Sequence, residues 1–229
     1  MSLPGEAFLA VWNDVPPDLE DEFNVWYMRE HMLERVGVPG FLGGRRYVAW
    51  ERSFHRYFAL YPTRTLAVLN SPEYLARLNA PSPWTEKMFP KLLNYMRGAC
   101  RIVASRSEGI GGLIATIRLS LSDPGLGLEK AASMAAAAEI HGLDGVTGVH
   151  IGVVDPEVTG VQSMERQLRT AEASFDAVVL VETTSRRGAE EAMPTIEETL
   201  TALPNMDPSR SRATAVYGLS HLFAAPAGG

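Results

Sequence analysis

The chain has 229 residues, 46% of them hydrophobic and 21% charged, with a formal net charge of −6. That length suits one large domain or two small ones, and that composition supports a packed core rather than disorder. The single cysteine, Cys100, excludes an intrachain disulfide and a cysteine-based zinc site, and no apolar run reaches the roughly 18–20 residues that span a bilayer. The charge is uneven: residues 1–106 hold 13 Lys/Arg and 11 Asp/Glu, residues 107–229 hold 8 and 16. Neither part carries a basic stripe, so nucleic acid is not an expected partner. The N-terminus lacks a basic stretch leading into an apolar core, so a cytoplasmic protein is expected, with no membrane contact.

In chain order, Glu6–Val15 reads as a strand broken by Pro16-Pro17. Asp18 is the expected N-cap of a helix over about 19–36, which Gly37 and Pro39-Gly40 end. Phe41–Glu51 and Arg56–Tyr61 are strands joined by a short turn, in which His55 is expected to be solvated. Ser71 caps a helix to about Leu78, with Pro72 in its first turn. A loop, NAPSPW (79–84), leads to more helix through about Met96, and Ala99–Ser107 is a strand. GIGG (109–112) lacks the Lys-Ser/Thr of a phosphate-binding loop and reads as a linker. The order then repeats: strands at Gly112–Ser122, Val146–Val154, Phe175–Thr183 and Arg212–Leu222, helices at Leu128–His141 and Arg187–Leu203, a polar loop at 155–173, and a small-residue tail at Ala224–Gly229.

The repeat is visible in the residues. GVPGFLGGR (37–45) lines up with GLDGVTGVH (142–150) at an offset of 105, placing Gly37, Gly40 and Gly43 on Gly142, Gly145 and Gly148. Two units follow, residues 1–108 and 109–229, each in the order βαββαβ. That is the ferredoxin-like, split βαβ pattern: a four-stranded antiparallel sheet with its helices on one face. The bare faces of two such sheets can cover each other. The expected fold is therefore α+β, with tandem ferredoxin-like βαββαβ repeats packing sheet-to-sheet as an intrachain barrel.

The units are unequal. All four tryptophans (12, 26, 50 and 84), six of seven tyrosines and six of eight phenylalanines lie in the first. At the same offset, Trp26, Glu30 and His31 fall on Ala131, Ala135 and Ala136. The first unit is expected to hold a site and the second to complete the fold.

The architecture resembles the dimeric α/β-barrel superfamily in a fused, two-repeat form. FNVWYMREHMLERVGVPGFLGGRRY (23–47) is similar to the Trp-Tyr-x-x-Glu-His helix signature of EthD-like proteins, and NSPEYLARLNAPSPWT (70–85) resembles segments of related, uncharacterised members. The resemblance covers most of the first unit; in the second only the glycine turn and the element order support it. Families of this fold include monooxygenases acting on polycyclic aromatics, lactone isomerases, polyketide cyclases and haem proteins, so the fold alone does not select a function.

On the first helix, Leu19, Phe23, Trp26, Glu30 and Leu33 recur at i+3/i+4, with Tyr27, His31 and Glu34 as the adjacent stripe. His31 is the candidate general acid/base, and Glu30 a candidate to orient it and favour its charged form. Trp12, Trp26, Tyr27, Tyr47, Tyr61 and Trp84 are candidate pocket residues, Trp84 as a lid. Arg45 and Arg46 alternate on a strand, so one faces the helices and is available to a substrate oxygen. There is no metal-binding His or Cys spacing, no dinucleotide fingerprint and no nucleophile elbow, so neither metal nor cofactor is expected, and only His150 or His221 offers a route to haem. The expected function is a cofactor-independent enzyme, isomerase, cyclase or monooxygenase-like, acting on a hydrophobic or aromatic small molecule. The alternative is a non-catalytic ligand-binding or structural barrel. Barrel edges also leave room for a homodimer.

Overall fold

The computed structural model describes residues 3–49, 55–169, 171–207, 209–210 and 213–224. Eight strands carry the fold: β1 Ala7–Asp14, β2 Gly43–Ala49, β3 Tyr57–Thr63, β4 Leu93–Ser107, β5 Leu113–Leu119, β6 Val146–Val154, β7 Ala177–Thr183 and β8 Ala213–Ala224. They close into one antiparallel barrel in the order β1-β3-β2-β8-β5-β7-β6-β4. Within each half the strands lie fourth, first, third, second, and the halves meet edge to edge at β2–β8 and β4–β6. Side chains from strands of both halves meet inside the barrel, and the edges of the halves are joined. No free barrel edge is left for a homodimer among the described residues, because every strand has a partner on both sides.

Period-two alternation sorts the side chains. Phe8, Ala10 and Trp12 of β1 join Tyr47, Phe58, Leu60, Cys100, Ile114, Val178, Leu180 and Tyr217 inside the barrel. Leu9 and Val11 of β1 face outward, under a first helical layer with Phe23, Trp26, Tyr27 and Tyr61. On the opposite side a second layer packs Ile117, Val149, Val179 and Val181 against Ala136, Ala137, Ile140, Ile196 and Leu200. The helices are α1 Glu20–Trp26, α2 Met32–Val36, α3 Pro72–Leu78, α4 Pro83–Met88, α5 Lys130–His141, α6 Pro156–Thr159, α7 Met164–Leu168 and α8 Arg186–Thr201. Cys100 is fully buried, which pushes its thiol well above the ordinary range and leaves it inert.

Local signals act where expected with four exceptions. Ser71 caps α3, accepting from Tyr74 N, with Pro72 in the first turn. Asp18 is not an N-cap: it sits inside a 3-10 turn at Pro17–Leu19, set by the preceding prolines. Residues 93–96 are strand, not helix, because β4 runs to β1 as far as Asp14. Loop 155–173 contains α6 and α7, capped by Asp155 and Ser163. His55 is buried rather than solvated: Nε2 bonds Asn94 O at 2.9 Å and Nδ1 meets Arg118 Nη1 at 3.0 Å. Trp50, the strand end at Glu51, Arg212 and residues 225–229 lie outside the described residues.

Three backbone bonds of the glycine turn recur in both halves. Gly37 N donates to Leu33 O, Val38 N to Arg35 O and Phe41 N to Val38 O; Gly142 N donates to Ala138 O, Leu143 N to Ile140 O and Val146 N to Leu143 O. Gly40 and Gly145 both hold positive φ, +93° and +80°.

Upstream of that turn the halves differ by one residue. Between α1 and α2 the helix widens into a π turn at Tyr27–His31. Downstream of it the burial pattern matches α5 at the offset of 105: His31, Met32 and Arg35 fall on buried Ala136, Ala137 and Ile140. Upstream it matches at 106: Trp26 and Tyr27 fall on Ala132 and Ser133, Met28 and Arg29 on exposed Met134 and Ala135. The pairing of Trp26 with Ala131 and Glu30 with Ala135 is therefore corrected, and Glu30 is the extra residue. The inserted turn rotates everything after it by about 100°. It exposes Leu33, expected on the apolar face, and buries Arg35.

Candidate functional site

The first layer encloses a small cavity between the first helix and the outer face of β1, β3 and β4. Leu9, Val11, Trp26, Tyr27, His31, Arg35, Tyr61, Tyr74, Phe89, Tyr95, Arg97, Glu165 and Arg169 are among its walls. Its volume is about 20 Å³, room for roughly one water. Trp26 and Tyr27 flank the His31 ring at centroid distances of 4.4 and 5.1 Å, with Phe89 at 5.5 Å. Tyr27 and Tyr61 share a hydroxyl hydrogen bond of 2.8 Å. Burial pushes Tyr27 up to about 12 and Tyr61 well above its ordinary value, so both stay neutral.

His31 is buried, and its Nδ1 has no hydrogen-bond partner among the described residues. Burial, then the charges of Arg35, Arg169 and Arg46, hold its pKa well below the ordinary 6.5. The imidazole is thus neutral, the reverse of the expected carboxylate-favoured cation. Glu30 does not orient it. The Glu30 carboxylate accepts from Trp26 Nε1 at 3.2 Å, from Ser82 Oγ and from Thr85 Oγ1 at 3.4 Å, pinning the inserted turn to the start of α4.

The cavity has a wall the sequence did not indicate. The segment carrying α6 and α7, from the second half, lies across it as a strap. Arg35 Nη2 donates to both oxygens of Glu165, each buried. Thr159 Oγ1 accepts from Ala99 N at 2.9 Å, and Asn79 Oδ1 from Met164 N at 3.0 Å. Arg169 stacks over Tyr95 at 4.4 Å and pairs with Glu172. Arg97, lone cation of an apolar stretch of β4, is 3% exposed with no carboxylate partner among the described residues.

The remaining candidates separate. Trp12 and Tyr47 point into the barrel, because Asn13 and Arg46 beside them take the helix side. Arg46 lies over Phe23, Tyr27 and Tyr57 at 4.9, 4.5 and 4.7 Å. Arg45 turns inward and closes a seam network: its Nη1 donates to Glu182 Oε1 at 2.8 Å, His150 Nε2 meets the same oxygen at 3.1 Å, and Gly111 N donates to Oε2 at 2.7 Å. Trp84 is half-buried, donating to Glu22 Oε1 at 3.1 Å, and covers the first helix rather than the cavity.

A larger cleft of about 820 Å³ opens at one barrel end, lined in part by His55, Arg118, Arg101, Asp155, Asp176 and Phe175. It is open to solvent and its charged groups are engaged: Arg101 with Asp155, Asp176 with Leu121 N, Arg118 with His55. The chemistry therefore favours the smaller cavity, whose walls carry the unpartnered His31 Nδ1, Arg35 Nη1, Arg97 Nε and Nη2, and Arg169 Nε. Of the two histidines weighed for haem, His221 borders a separate pocket of about 270 Å³ with Arg46 and Tyr57, and His150 is engaged. Both ring nitrogens of His150 are taken, by Ser105 Oγ and Glu182. Among the described residues no group of three metal-ligating side chains occurs, and no helix is long and apolar enough to cross a membrane.

No protein-family model matches the chain, and no curated protein matches it. Solved structures do. An anthrone oxidase-like protein is 11% identical with a TM-score of 0.63, over 99% of this chain and 96% of that one. A protein from Lactobacillus acidophilus NCFM, provisionally named a monooxygenase, is 8% identical with a TM-score of 0.57, over 96% of each. Chlorite dismutase from Candidatus Nitrospira defluvii, in complex with imidazole, is 11% identical with a TM-score of 0.51, over 95% of this chain and 92% of that one. At these identities the likeness is one of fold, the dimeric α/β barrel.

Proposed function

We propose that the chain is a fused pair of ferredoxin-like units, 1–108 and 109–229, in which the first-half cavity is the active site of an enzyme acting on a small aromatic molecule. His31 is its general base. The observation that carries this reading is a neutral imidazole, buried among aromatic rings, with Nδ1 unpartnered. A base must be unprotonated and within reach of the proton it takes, and enclosure excludes competing water. His31 breaks a C–H bond next to a carbonyl, the proton goes to the imidazole, and the bonding pair moves to the carbonyl oxygen as an enolate. Isomerisation, cyclisation and cofactor-free oxygenation all begin with that step. The names of the anthrone oxidase-like protein and the L. acidophilus protein are consistent with it. The closed cavity holds about one water, so a substrate gains access by displacing the strap.

The test is deuterium exchange. Anthrone, and anthrone bearing a ring carboxylate, are incubated in D₂O and followed by NMR. Exchange at the acidic CH₂ above the buffer rate, lost in His31→Gln, supports the reading. Exchange at the buffer rate for both compounds overturns it. The non-catalytic alternative predicts binding without exchange.

A further inference from the structure

Three arginines line the cavity, and they are not fully satisfied. Arg35 Nη1, Arg97 Nε and Nη2, and Arg169 Nε are buried donors with no hydrogen-bond partner among the described residues. Such orphans are rare in folded proteins and costly to leave. Two carboxylates serve the cluster. Glu165 is bound to Arg35, and Glu172 to Arg169 and Arg166. Neither pairs with Arg97, which is 3% exposed. The three arginines of the cavity thus face two carboxylates, one of them shared with Arg166, inside an aromatic shell. A water offers two acceptor positions to four orphaned donors, whereas a carboxylate offers about four, in the planar arrangement that guanidinium groups match.

We propose that the substrate of this site is a carboxylic acid on an aromatic ring, its carboxylate anchored by Arg97 with Arg35 and Arg169 and its ring held by Tyr95, Tyr74 and Trp26. The proposal rests on the reading of this cavity as a small-molecule active site. It adds a specificity that the fold does not imply: neutral aromatics are poor ligands. Glu165 currently supplies Arg35 with a carboxylate, so the strap places a protein carboxylate beside the position the ligand's would take.

The experiment measures binding rather than turnover. Sodium benzoate, benzamide and sodium chloride are titrated into the full chain by calorimetry and thermal shift. Benzoate is expected to bind at least tenfold more tightly than benzamide, and chloride at the same concentration to leave the melting temperature unchanged. Arg97→Met is expected to lose the preference for benzoate, and Arg97→Lys to retain part of it. If Arg97→Met does not fold, Arg169→Met gives the same readout, since Glu172 keeps Arg166. Equal binding of benzamide, stabilisation by chloride equal to that by benzoate, or unchanged benzoate affinity in the arginine variant would overturn the proposal. His31→Gln separates the two readings. It should bind benzoate like the parent protein while losing deuterium exchange. Exchange that depends on His31 together with no benzoate preference leaves the base in place and removes the anion site.

Discussion

The two helix–sheet layers of this barrel are built on the same strand order and the same glycine turn, yet one is filled with hydrocarbon and the other with chemistry. Over the second sheet lie Ala136, Ala137, Ile140, Ile196 and Leu200, side chains with no polar atom to satisfy. At the matching places of the first stand His31, Met32 and Arg35. A core needs only shape and apolarity. Groups that cost stability where they stand persist for another reason. The contrast marks the first layer as the place of the candidate site without reference to any relative.

The sharpest way to break this contrast is to exchange the paired residues. His31→Gln should lower turnover by roughly 10²–10⁴-fold while changing stability by about 1 kcal/mol or less. Its counterpart change, Ala136→His, should gain no activity and cost about 1–3 kcal/mol by overpacking. Urea titration and the exchange assay together decide. Equal stability losses at both positions would make His31 structural.

Stability should divide the layers next. Ile140→Ala should cost about 2–5 kcal/mol as a cavity opens. Arg35→Met alone should cost about 3–5 kcal/mol, because it strands Glu165 without a partner, but Arg35→Met with Glu165→Leu should be near neutral or stabilising. If the double variant is as unstable as the single one, the ion pair holds the fold and the strap is not a separable cover.

Acid should act on the first layer and on the barrel end, not on the second layer. His31 is held well below 6.5, and His55, by burial and then Arg118, is lowered to about 4. Below about pH 6.5 the unfolded chain takes up protons that the folded chain refuses, so stability falls as pH falls; above that both states are neutral and the effect vanishes. Denaturation midpoints from pH 7.5 to 4.5 should decline less steeply in His31→Gln and in His55→Gln. An unchanged slope would place both rings outside the low-dielectric interior.

The smallest contrast is in the turns. Gly40 and Gly145 share positive φ, but a Cβ at Gly40 would come within 2.5 Å of Val68 Cγ2, while at Gly145 the nearest atom is 3.6 Å away. Each alanine substitution should cost on the order of 1 kcal/mol for the backbone, with Gly40→Ala the larger. Paired melting curves would show it.

Much of this was legible in advance. Alternation placed the strands, and the paired glycines marked two turns of like geometry, because both depend on short-range geometry. His31, Trp26, Tyr27 and Tyr61 line one cavity. Trp12, Tyr47 and Arg45 do not, since composition cannot say which face of a strand a residue takes until its register is fixed. Arg35 was hidden by the widened turn, which no residue type announces. Arg169 and Glu165 were hidden because they arrive from the other half. Arg97 alone carried a readable sign, a charge inside an apolar strand.

Glu30 has a further meaning when the helix is counted in codons. The first half exceeds the second by one residue at that point, and residues 27–29 and 31–33 keep the same burial as their counterparts on either side. Removing Glu30 would return the segment to ordinary helical spacing with His31 and Arg35 still turned inward, at the loss of the carboxylate that ties Trp26, Ser82 and Thr85 together. One codon thus separates a plain helix from a braced one.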